Sequence, residues 1–144
     1  MKIRAEIEDR ILAGPFPPGF PRTAVFPDYE GFGITAIPSL IERILGLAEE
    51  GGPLDEAIGP LESERVILLI LDGLGYRKLS ELFAGDHDLA LKELGERGSF
   101  IPITSVFPAT TAAALTTYST SLPRPATGSS AIGSIFARRG RSPT

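Results

Sequence analysis

Apolar positions recur at helical spacing at Ile37, Leu40, Ile41, Ile44, Leu45 and Ala48, with Pro38 in the first turn and Gly51-Gly52 as a stop. This predicts an amphipathic helix. A short loop through Pro53 and Pro60 leads to RVILLIL, residues 65–71, a continuous apolar run ended by Asp72-Gly73. Such a run suits a strand buried on both faces of a parallel sheet. Two short helices are expected next, one gathering Leu79, Leu82 and Phe83, the other starting near Asp88, carrying Leu91 and Leu94 and stopping at Gly98. Residues 100–107 (FIPITSVF) supply a second strand, with Pro102 at its edge or start. After Pro108, TTAAALTTYST predicts a helix beginning near Thr110 and Thr111.

The order strand, helix, strand, helix over residues 66–118 predicts an α/β fold with a mostly parallel sheet flanked by helices. Upstream, residues 13–38 are dense in Pro, Gly and aromatics, which prevents regular structure but offers groups for packing. The expected organisation is a Pro/Gly-rich extension over 1–36, a partial α/β domain over 37–121 and an atypical tail over 122–144.

At 144 residues and 42% hydrophobic, the chain can bury one core of ordinary size. The net charge of -4 gives no footprint for nucleic acid, and Arg138, Arg139 and Arg141 near the C-terminus read as solvated. No run is long enough to span a membrane, and MKIRAEIEDR lacks a secretory apolar core. With no cysteine, disulfides and thiolate chemistry are excluded, and the cytoplasm is the expected compartment.

In an open α/β sheet, reactive groups collect at the carboxyl ends of strands, and Asp72 and Thr111 both fall just past such ends. Asp72 is a hard oxygen donor suited to a divalent cation. Taken alone, Asp-Gly after a strand is equally a turn signal. A hydroxyl in the first turn of a helix meets free backbone N–H groups that stabilise an attacking oxygen or a phosphate, while Thr110 or Thr111 taken alone reads as a helix cap.

Together, VILLILDGLGYRKL and ITSVFPATTAAALTTYST resemble the first two motifs of the type I phosphodiesterase and nucleotide pyrophosphatase family of the alkaline phosphatase superfamily. With FPDYEGFGI upstream, the likeness spans roughly residues 24–121. By position, the resemblance implies that Asp72 is a metal ligand and that Thr111, third after Pro108, is a catalytic nucleophile that also touches metal. It further implies two divalent metal ions, commonly zinc, a small phosphoester or nucleotide substrate, and a phospho-enzyme intermediate hydrolysed by water. The family draws its other ligands from Asp and His residues far downstream. Here the single histidine, His87, sits in GDHDL, where Asp86, His87 and Asp88 read as a loop and helix cap.

The likeness breaks after the helix, where the family continues T-G-x-x-P-x-x-H-G. Ser121 replaces the Gly, and the His-Gly is missing. The Ser, Gly and Arg content from about Arg124 suits an out-of-frame message, and permitted codons read two nucleotides later restore a His-Gly. The expectation is a frameshifted, disordered tail on the N-terminal part of a phosphoesterase, with self-association through uncovered apolar surface. For this chain alone the expectation is an inactive fragment that lacks the distal ligands, and a further alternative is a dinucleotide-binding module, suggested by Gly73-x-Gly75 but short of its third Gly, with Lys78 in that place.

Overall fold

The computed structural model describes residues 2–14, 17–21, 23–85 and 90–121. Asp86, His87, Asp88 and the whole of 122–144, including the C-terminal arginines, lie outside the described residues. Helices appear in the order α1 (Lys2–Leu12), α2 (Ala36–Ile44), α3 (Pro53–Ile58), α4 (Tyr76–Ala84), α5 (Ala90–Arg97) and α6 (Thr111–Thr120).

The expected α/β parallel sheet is not present: the described residues are mainly helical and form no strand. One isolated parallel bridge, Gly33 with Thr104, is the whole of the pairing among them. It is held by Ile34 N donating to Thr104 O (2.9 Å) and Thr104 N donating to Phe32 O (2.7 Å). The second expected strand still shows period-two burial, with Pro102, Thr104 and Val106 buried and their neighbours less so. Its ladder cannot extend through Pro102, which has no N–H to donate. Its pairing at Thr104 is with Gly33 in the leader, residues 23–35 ahead of α2, instead of with 66–71. Beyond Val66, which packs against the core, residues 67–71 therefore stay exposed, Ile67 by 94%.

At the start of the 1–36 extension, ahead of the Pro/Gly-rich stretch, α1 forms and buries Ile7. One further expectation is corrected. The loop through Pro53 is helical as α3, with Pro53 at its first position, where a missing N–H costs nothing. There, Asp55 closes a capping turn by accepting from Gly52 N (2.9 Å). The α2 helix forms where the periodicity predicts, with Pro38 in its first turn, but it ends at Ile44 with Leu45 as its cap, short of the Gly51-Gly52 stop.

Ile7, Phe32, Leu40, Ile44 and Leu54 make the main core, with Ile37, Val66, Ile101 and Ile103 packed against it. A second cluster of Ile34, Val106 and Ala113 seats α6. The leader is locked between them. Thr104 Oγ1 accepts from Asp28 N (2.8 Å) and donates to Phe32 O (3.2 Å). Gly33 permits this approach, because a Cβ there would lie 2.7 Å from Asp28 O.

Candidate functional site

The helix α6 turns its buried side, Ala113 and Thr117, toward Val106 and Ile34. That choice of face leaves its first residue, Thr111, on the exposed side. Thr110 is the cap: its backbone is extended (φ -112, ψ 148) and its hydroxyl accepts from Ala113 N at 3.2 Å. Thr111 is therefore freed from capping, and its hydroxyl donates to Oδ2 of Asp72 at 2.9 Å. The two residues singled out in the sequence meet, although the sheet expected to bring them together is missing.

Asp72 is oriented from its other oxygen. Oδ1 accepts from Gly73 N (2.9 Å), in a turn where Gly73 takes φ 76, a left-handed value that an L side chain rarely adopts. Because this amide faces Asp72, the Gly73-x-Gly75 loop does not offer it to a pyrophosphate. At the opposite wall, the N–H groups of Thr111 and Ala112 have no acceptor among the described residues, so two donors of the first turn stand beside the Thr111 hydroxyl. The peptide before Pro108 is cis, and Phe107 N donates to the Tyr29 hydroxyl at 3.0 Å.

A cavity of about 390 Å³ adjoins these elements. Its walls include Gly75 and Ala109, three and two residues along the chain from Asp72 and Thr111, and its remaining surface is mainly apolar, with Val25, Ile103 and Phe107. Tyr76 and Arg77 supply polar groups. Tyr76 is held by a 3.0 Å hydrogen bond to Glu8 and by stacking on Phe100. Tyr29, Tyr76 and Arg77 lie within the stretches that carry the resemblance, but no local periodicity marks them as site residues, because their positions depend on contacts across the chain. The aromatic density of the leader was the one hint, and there Phe20, Phe26 and Phe107 pack edge to face and tilted.

As a metal centre the arrangement is incomplete. Asp72 and Thr111 bring two oxygens together, whereas a tetrahedral zinc takes four donors, and no group of three or more His, Cys, Asp or Glu suited to a metal occurs among the described residues. The residues present do not by themselves make the two-metal site that the resemblance implies. No helix among the described residues is long and apolar enough to cross a membrane. No protein-family model matches this chain, and no curated protein and no solved structure matches it either.

Proposed function

We propose that the chain carries the nucleophile half of a phosphoester or pyrophosphate hydrolase, with Thr111 attacking phosphorus and Asp72 positioning it. The 2.9 Å hydrogen bond from Thr111 Oγ1 to Asp72 Oδ2 carries this reading. It orients a lone pair of the hydroxyl oxygen and gives its proton a place to go. As the Oγ1–P bond forms and the P–O bond to the leaving group breaks, the hydroxyl proton passes to Asp72 and the leaving alkoxide takes a proton from water. The first-turn N–H groups of Thr111 and Ala112 face the charge that gathers on the phosphoryl oxygens. Water then cleaves the Oγ1–P bond and restores Thr111.

The apolar cavity suits the organic portion of a small phosphodiester or nucleotide substrate. Two divalent cations, commonly zinc, belong to this proposal through the resemblance, and Asp72 and Thr111 are the donors the chain would lend them.

The test is mass spectrometry of the peptide containing residues 109–121 after incubation with a nitrophenyl phosphodiester, with and without zinc. A phosphoryl adduct on Thr111, lost in Thr111→Ala and kept in Thr110→Ala, supports the reading. If wild type releases no more nitrophenolate than Thr111→Ala and carries no adduct, Thr111 is not a nucleophile in this chain, and an inactive fragment becomes the better account.

A further inference from the structure

Residues 66–71 contain no charge, proline or glycine and run free of helix, turn and bend. They make no backbone hydrogen bond to any described residue. Their exposure alternates: 94% at Ile67, 45% at Leu68, 74% at Leu69 and 39% at Ile70. A period of two means an extended strand with two faces. Val66, Leu68 and Ile70 lean toward the body, and Ile67 and Leu69 point outward. An extended, apolar, unpaired strand is a template for pairing with another chain.

We propose that residues 65–72 pair antiparallel with the same segment of a second copy of this chain, with Arg65 of each copy opposite Asp72 of the other. Charge selects the partner and the register. The segment begins with Arg65, whose guanidinium has no ion-pair partner among the described residues, and ends with Asp72. Antiparallel pairing in this register puts opposite charges face to face at both ends, where such pairs are favourable. Parallel in-register pairing stacks Arg65 on Arg65 and Asp72 on Asp72. Sliding the antiparallel register by one residue sets Glu64 or Val66 against Asp72.

The same register resolves the faces. Ile67 lies opposite Ile70 of the second copy, and Leu69 opposite its Leu68, so an outward residue of one copy joins the body side of the other. The two bodies then sit on opposite faces of the ribbon without collision, and each borders the other's most exposed side chains. A third copy would repeat the first body on the same face about 10 Å away, two strand spacings, whereas a folded unit of this size has a radius of gyration of about 13 Å. Growth therefore stops at two. The pairing also brings a guanidinium from the second copy to Asp72, beside Thr111.

The chain has no cysteine, so engineered thiols are the only ones present. Under mild oxidation, full-length Ile67→Cys mixed with full-length Ile70→Cys is expected to give a disulfide-linked dimer, and neither variant alone gives one. Linkage of Ile67→Cys alone would show parallel pairing, and linkage of Leu68→Cys or Leu69→Cys alone would show a different antiparallel register; either overturns the proposal. So does a monomer by sedimentation at the same concentration. Arg65→Asp is expected to weaken the dimer at least tenfold and Arg65→Asp with Asp72→Arg to restore it. An unchanged dimer in Arg65→Asp also overturns the register.

Discussion

Thr111 donates to Asp72 across 39 residues of sequence, while its neighbour Thr110 turns inward to cap the same helix. One hydroxyl is spent on the helix cap and the other is turned to the Asp72 carboxylate. The distinction is thermodynamically measurable. Thr110→Ala removes the acceptor for Ala113 N and is expected to cost about 1 kcal/mol. Thr111→Val removes a hydrogen bond between exposed groups and is expected to cost about 0.5 kcal/mol. Urea midpoints of the two variants decide it; a larger loss for Thr111→Val would reverse the assigned roles.

The pair was legible in the sequence because its determinants are local. Pro108 and the Thr-Thr-Ala run set the start of α6, and Asp72-Gly73 ends an apolar run. The sheet was not, because a buried strand is defined by its neighbours. Residues 66–71 carry the pattern of a central strand, but the described residues place nothing on either edge. The leader was equally opaque, since Asp28 and Thr104 are joined by a hydrogen bond across 76 residues that no periodicity marks.

Arg43 of α2 and Asp55 of α3 form an ion pair with little solvent access, and Asp55 also caps α3 through Gly52 N. Asp55→Ala leaves the guanidinium unpaired and the amide open, so a loss of about 3 kcal/mol is expected. Replacing both partners, as in Arg43→Leu with Asp55→Leu, is expected to cost less than Asp55→Ala alone, because no buried charge is stranded. Denaturant titration of both variants checks the order, and equal or inverted losses would show that the pair is a surface bridge of small worth.

Tyr118 packs beside Ala113 and Val106, and burial pushes its phenol above its ordinary value of about 10. The neutral form is thus favoured in the folded state. Below the unfolded value both states hold the proton and this stabilisation is fully present. As pH rises past it, the unfolded chain ionises first, and stability falls until the folded phenol titrates as well. Tyr118→Phe is expected to flatten the decline in stability as pH rises past about 10, read in thermal melts. The same decline in the variant would assign it to other groups.

Ser121 stands where the resembled motif has Gly, and the structure shows what that exchange does. It closes α6 with φ 59, a left-handed backbone, its N–H donating to Thr117 O at 2.9 Å. A residue with a Cβ is strained there by roughly 1 kcal/mol, and helices commonly end in this conformation with Gly. Ser121→Gly relieves the strain but adds freedom to the unfolded chain, so the net gain expected is about 0.5 kcal/mol. An increase in the urea midpoint, with the slope unchanged, is the predicted readout. A decrease would mean that the serine hydroxyl contributes more to the end of α6 than its backbone strain removes.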